Sequence, residues 1–284
     1  GPTHAGWSPE PHIQTIRGYP YNTGVSTLRI RLRRSYRLIR LGLHLLQAIF
    51  FAGVLFPIVS TLQRDWLISY WSRQLLKVLG VRVQAAPAPQ VPEGALLVSN
   101  HISWLDIYLI YGARSVHFVS KAEVRQWPLV GWLAHKGGTL FIERGRRADT
   151  ARINQEMRDL MQHGAWVGVF PEGTTGDGRE VHKFYSSLLQ PAVELGCPIV
   201  PAAIRYTHNG EYTAAPAYID NISLWESLQR IISEKGLVAE LRFGEPFAAE
   251  QHRRQLAQQS EKAVADLLGD TPDNTDPINN RPNL

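Results

Sequence analysis

Apolar positions run almost unbroken from Leu41 to Val59, interrupted mildly by His44 and Gln47, and as a helix this stretch would reach about 28 Å. That is borderline for crossing a bilayer, and Gly42, Gly53 and Pro57 work against a straight span. A secretory signal peptide is a lesser alternative. The period then changes: Leu67, Trp71, Leu75, Val78 and Leu79 fall on one helical stripe, with Asp65, Ser72, Arg73 and Lys77 on the other side. Trp66, Tyr70 and Trp71 suit a membrane interface. Together these segments predict a helical pair lying on or dipping into one leaflet, the alternative being an ordinary pair of core helices.

Pro87, Pro89 and Pro92 break the helical pattern and mark a linker. Beyond it, short apolar runs alternate with helical stretches. Strands are expected at Ala95–Ser99, Val116–Val119, Thr139–Ile142, Trp166–Phe170, Ile199–Ile204 and Ala239–Phe243, and helices at Trp104–Ala113, Thr150–His163 and Ala249–Leu268. The fold class expected is α/β, a mixed sheet flanked by helices and preceded by an N-terminal amphipathic membrane helix pair. Four segments follow. Residues 1–27 read as a protease-scar or expression remnant or flexible arm, 28–84 as the membrane-associated helical pair, and 85–269 as the α/β domain. Residues 270–284, rich in Asp, Asn and Pro, read as a disordered tail.

Charge sharpens this division. The net charge is +5, yet no acid occurs between Glu10 and Asp65, while Arg29, Arg31, Arg33, Arg34, Arg37 and Arg40 crowd one stretch. A basic run beside an apolar one points to an anionic membrane surface; nucleic acid is not the expected partner, because no basic stripe accompanies it in the folded region. Arginines ahead of the apolar stretch predict a cytoplasmic N-terminus, and a hairpin would keep the α/β domain on that side. The lone Cys197 excludes an intramolecular disulfide, offers no zinc cluster and, among Pro198, Ile199 and Val200, reads as a buried structural thiol. Neither metal nor cofactor is expected.

The candidate chemistry begins at Ser99-Asn100-His101-Ile102-Ser103-Trp104-Leu105-Asp106, a His just after a buried strand and an Asp in the first turn of a helix. On one continuous helix five residues would turn the side chains roughly 140° apart, whereas a strand-turn-helix lets them touch. Asp106 would then fix the imidazole tautomer and leave the other nitrogen to accept a proton from a hydroxyl. Gly137-Gly138-Thr139-Leu140-Phe141-Ile142-Glu143-Arg144 sets a cation after a buried strand; Phe170-Pro171-Glu172-Gly173-Thr174 sets a carboxylate on a sharp turn. Val200-Pro201-Ala202-Ala203-Ile204 is small and apolar, a candidate wall for an acyl channel. No Gly-x-Ser-x-Gly or His-Glu-x-x-His occurs, which argues against serine and metal hydrolases. A non-catalytic lipid-binding protein would explain the helices but not the ordered polar strand ends.

Those four blocks, in this order across His101 to Ile204, resemble the glycerolipid acyltransferase family that includes the bacterial 1-acylglycerol-3-phosphate acyltransferases. The resemblance implies His101 as general base with Asp106 orienting it, Arg144 as a phosphate-binding residue, and Glu172, Gly173 and Thr174 in acceptor binding. Lys121 resembles a lysine between the first two blocks and is a second candidate phosphate contact; Pro201 has a structural role by the same likeness. The implied reaction moves a fatty acyl group from acyl-CoA or acyl carrier protein to a lysolipid acceptor, 1-acylglycerol-3-phosphate first, at the cytoplasmic face of the bacterial inner membrane. Backbone amides at Gly137-Gly138 or Glu172-Gly173 are expected to hold the oxyanion. One departure stands out: where many phosphate-acceptor members carry Arg after Phe-Pro-Glu-Gly-Thr, this chain has Thr175, then Gly176-Asp177-Gly178. Arg179, Lys183 or Arg205 is the expected substitute cation, and other lysolipids, including ornithine lipid precursors, enter as acceptors.

Overall fold

The computed structural model describes residues 25–269 other than Pro92, Pro128 and Arg144. The expected disordered tail and most of the expected N-terminal arm lie outside the described residues. Helices are α1 (Val25–Phe50), α2 (Thr61–Leu79), α3 (Leu105–Ala113), α4 (Val130–Lys136), α5 (Arg147–Gln162), α6 (Gln190–Leu195), α7 (Leu224–Ser233) and α8 (Arg253–Gly269). Strands are β1 (Val81–Ala85), β2 (Ala95–Ser99), β3 (His117–Lys121), β4 (Leu140–Ile142), β5 (Trp166–Val169), β6 (Pro198–His208), β7 (Glu211–Tyr212), β8 (Leu237–Phe243) and β9 (Phe247–Ala248).

Helix α1 takes in the arginine run as well as the apolar stretch, then loosens into a π-helical turn at Phe51–Leu55 around Gly53. Pro57 cannot donate to a continuing helix, and the chain turns. Ser60 restarts it through a capping box: its hydroxyl accepts from the Gln63 amide at 3.3 Å and Gln63 Oε1 accepts from the Ser60 amide at 2.9 Å. The two helices are locked by a reciprocal pair, with Trp71 Nε1 donating to the His44 carbonyl and His44 Nε2 meeting the Trp71 carbonyl, both at 2.9 Å. The polar His44 inside the apolar run is thus a buried clasp. Arg33 and Arg37, expected at lipid headgroups, instead reach the far end of α7: Arg33 donates to the Ser233 carbonyl at 2.6 Å, and Arg37 to those of Ile232 and Glu234 at 2.9 and 2.7 Å. They satisfy carbonyls that a helix end leaves without partners.

Among the described residues the sheet runs β1-β8-β6-β2-β5-β3-β4, with β7 and β9 also paired to β6. Neighbours are parallel except where β6 meets β8, β7 and β9. Because β2 and β5 are buried on both faces, they read as unbroken apolar runs. One face carries Leu76, Leu79, Leu105, Leu109 and Ile232 from α2, α3 and α7; the other carries Ile153, Met157, Ala192, Leu256 and Val264 from α5, α6 and α8. The expected boundary at residue 84/85 falls inside β1, which joins the sheet ahead of the proline-rich linker through register Val81↔Leu237 to Ala85↔Leu241. Only Val81 of β1 is buried, so the strand carried little apolar pattern.

Candidate active site

Parallel register brings the candidate residues to one edge. Val98 of β2 aligns with Val169 of β5 and Pro201 of β6, Phe118 of β3 with Gly168, and Val119 with Leu140 of β4. His101 and Glu172 therefore lie just past, and Lys121 at, the carboxyl ends of adjacent parallel strands, where α/β folds hold ligands. Arg144 follows β4 in sequence but is outside the described residues.

The turn after β2 folds His101 back onto the first turn of α3. His101 Nδ1 lies 2.8 Å from Asp106 Oδ2, and that oxygen also accepts from the amides of Ile102 at 2.7 Å and Ser103 at 2.9 Å. Asp106 Oδ1 accepts from the Tyr206 hydroxyl at 2.7 Å. A carboxylate ringed by donors can only accept, so the neutral imidazole of His101 has its proton on Nδ1 and its lone pair on Nε2. The Asp106 side chain is fully buried and the His101 side chain is 20% exposed, one end of the pair open to solvent. The imidazole stacks on Phe170, ring centres 4.0 Å apart, with Phe118 stacked 5.4 Å behind Phe170. Asn100 fastens the same turn to β6, donating to the Ile204 carbonyl at 2.9 Å and accepting from its amide at 2.8 Å.

Glu172 faces inward. Its Oε1 accepts from the His101 amide at 2.7 Å and its Oε2 from the His182 amide at 2.9 Å, the His182 Nδ1 lying 3.4 Å away. Burial raises this carboxyl above the usual glutamate value, with the two amides opposing. Gly173 takes φ +75, a conformation that favours glycine, and its amide donates to the Phe170 carbonyl at 3.1 Å. Gly137 and Gly138 likewise commit their amides, to the Leu133 carbonyl at 2.9 Å and the His135 carbonyl at 3.1 Å. Of the amides expected to form an oxyanion hole, those of Gly137, Gly138 and Gly173 are thus already bonded within the chain. Thr174 is exposed and makes no hydrogen bond among the described residues.

Lys121 is exposed at the end of β3 and forms no ion pair among the described residues. The substitute cations are otherwise engaged or exposed. Arg205 donates to the Leu268 carbonyl on α8, and Arg179 stacks 4.7 Å from the Tyr212 ring centre beside Asp177. Lys183 is exposed. Thr175 is a loop anchor, its hydroxyl donating to the Tyr218 carbonyl. Val200 to Ile204 are buried in the sheet as core. A cavity of about 400 Å³ lies away from the His–Asp pair, against β4 and α5.

Tyr206 escaped the sequence reading. Its signal was present: it shares a face of β6 with Ala202 and Ile204, and a tyrosine in a buried apolar strand needs a partner for its hydroxyl. Burial and the Asp106 charge hold its phenol well above the ordinary value, so it remains a donor.

The sheet, with its His–Asp pair at the carboxyl edge and its N-terminal hairpin, defines a class to which the comparisons give a name. Residues 81–205 match the family model described as Acyltransferase. The chain is 37% identical over 245 residues to the lyso-ornithine lipid O-acyltransferase of Pseudomonas aeruginosa, covering 84% of this chain and 93% of that protein. It is 33% identical over 205 residues to the 1-acyl-sn-glycerol-3-phosphate acyltransferase of Neisseria meningitidis, covering 71% and 80%. The crystal structure of the 1-acyl-sn-glycerophosphate (LPA) acyltransferase PlsC of Thermotoga maritima shares the fold, with a TM-score of 0.65 at 20% identity over 86% of this chain and 96% of that one. The protein belongs to the acyltransferase family.

Proposed function

We propose that this enzyme transfers a fatty acyl group from acyl-CoA or acyl carrier protein to the free hydroxyl of a lysolipid, working as a monotopic protein at the cytoplasmic face of the bacterial inner membrane. The observation that carries the chemistry is the 2.8 Å contact of His101 Nδ1 with buried Asp106, which leaves Nε2 basic at the open edge of the sheet. Nε2 takes the hydroxyl proton as that oxygen attacks the thioester carbonyl. The new ester C–O bond forms, the C–S bond breaks, and the imidazolium returns the proton to the leaving thiolate. Asp106 stabilises the transient imidazolium, and general-base assistance of this kind is worth about 10²–10⁴-fold. Glu172, in this reading, holds the His101 backbone in place; Thr174 offers donors to the substrate.

A lyso-ornithine lipid is the acceptor that the turn after β5 favours. Thr175 stands where a phosphate-reading cation is expected, and Arg179 and Arg205 are tied elsewhere. The lyso-ornithine lipid acyltransferase relative supports this choice. The second reading, 1-acylglycerol-3-phosphate, is supported by exposed Lys121 and Lys183, by Arg144 in the sequence and by the Neisseria relative. Membrane attachment is supported by a hairpin whose exposed Leu28, Leu32, Leu43, Leu46 and Phe50 recur at helical spacing along one stripe. Because α1 is fastened to α7 and to α2 along its length, crossing the bilayer alone would break both attachments.

Palmitoyl-CoA and palmitoyl carrier protein, offered with a panel of lysolipids in detergent to the wild type and a folded His101→Ala variant, test this function. Transfer by the wild type, lost in the variant by about 10³-fold or more, is expected. Equal transfer by both proteins, or none to any acceptor by the wild type, overturns it.

A further inference from the structure

We propose that residues 122–136, the 3-10 turn Ala122–Gln126 and helix α4, form a second membrane contact, which seats the open edge of the sheet on an anionic phospholipid surface. The inference builds on the proposed lysolipid acylation, but its physical basis is separate.

Trp127 and Trp132 are 38% and 39% exposed on either side of the start of α4. A tryptophan has a large apolar ring and one N–H donor, and in proteins that meet membranes it settles at the boundary between headgroups and hydrocarbon. The described residues beside them are closely packed. Leu129 adopts φ 62, a left-handed conformation unusual for a side chain of its size, and the Gly131 amide donates to the Trp127 carbonyl at 2.9 Å. The turn presses so closely on the helix start that a Cβ on Gly131 would stand 2.2 Å from the Arg125 carbonyl oxygen.

The surface is continuous with the apolar hairpin. The far edge of the Trp132 ring lies 3.8 Å from where a Cβ on Gly53 would be, and Gly53 sits in the π-turn at the tip of the hairpin. Beside it, Val54 and Ile58 are 51% and 76% exposed. Charge fits the same occupant: Arg125 in the 3-10 turn and Lys136 at the end of α4 are exposed, and Glu123 is the segment's sole acid. An acidic carrier protein would answer the cations but leave the tryptophans and the hairpin tip uncovered, so the bilayer is the occupant we assign. Position supplies the purpose. The segment follows β3, whose Phe118 backs the Phe170 ring stacked on His101, so the contact would hold the His101 edge at the depth of a lysolipid headgroup.

Fluorescence of the full chain on phosphatidylcholine/phosphatidylglycerol vesicles, with and without brominated acyl chains, tests the contact. Brominated chains should quench part of the wild-type emission, and Trp127→Phe and Trp132→Phe should each remove part of that quenchable fraction. An undiminished quenchable fraction in both variants overturns the proposal, as does emission from these residues that responds to acyl carrier protein and not to vesicles. The double variant Trp127→Ala/Trp132→Ala should acylate a vesicle-borne lysolipid about tenfold more slowly while keeping wild-type turnover in detergent micelles. Equal turnover on both would count against the contact. A wild type that acylates no lysolipid in detergent would remove the proposed function, and the quenching result would still decide the membrane contact.

Discussion

One buried carboxylate at Asp106 serves four donors, three on Oδ2 and the Tyr206 hydroxyl on Oδ1. Removing the Tyr206 donor leaves a buried charge short of a partner, a loss of about 2 kcal/mol. Tyr206→Phe should therefore lower kcat by about tenfold with KM for donor and acceptor nearly unchanged, because it acts on the orientation of His101 and touches no substrate. An equal rise in KM would instead place Tyr206 in substrate binding. Glu172 makes a prediction of different sign. Its folded-state value is raised, so the folded protein binds more protons than the unfolded chain from the ordinary glutamate range upward. Its stabilising contribution is present in full below that range and falls as pH rises through the raised value. Glu172→Gln removes this dependence, and the Tm of the wild type relative to the variant should decline across that window. A difference in Tm independent of pH would refute the assignment.

At the level of elements, the joint between α1, α7 and the start of β1 is the most confined. Gly80 ends α2 at φ 81, and a Cβ there would come within 1.9 Å of the Arg37 guanidinium that holds the end of α7. Gly80→Ala should combine left-handed strain with displacement of Arg37 and cost about 2–3 kcal/mol, read as a lower denaturation midpoint. Arg37→Ala alone should lose the capping bonds without the backbone strain, so a larger cost for Arg37→Ala than for Gly80→Ala would contradict this order. The same scale shows where the sequence was hard to read. Strands β2 and β5, buried on both faces, stood out as apolar runs, whereas β1 and α4 each bury a single residue and carried no usable period.

Over the whole molecule, polar contacts separate arginines that build the fold from those left to a surface. Arg33 and Arg37 are committed to α7, while Arg29, Arg31 and Arg40 remain exposed along the hairpin. If these meet anionic lipid, each contributes about 1 kcal/mol at low ionic strength. Vesicle binding should weaken by at least tenfold as salt rises from about 0.05 to 0.5 M, the apolar stripe supplying what persists. Sedimentation with anionic vesicles measures this, and salt-independent binding would refute a role for the exposed arginines.

The order of apolar runs and helical periods was enough to establish an α/β sheet behind an apolar hairpin, because burial on two faces or one writes itself directly into local sequence. The spacing of His101 and Asp106 marked a candidate catalytic pair, and the four ordered blocks from His101 to Ile204 pointed to acyl transfer through their resemblance to the glycerolipid acyltransferases. Tertiary structure alone decided which groups meet across long separations: Tyr206 beneath Asp106, Glu172 under the His101 backbone, Arg37 on the end of α7, Trp132 against Gly53. Such contacts depend on strand order and register, and these follow from how the layers pack as a whole, which no local period encodes.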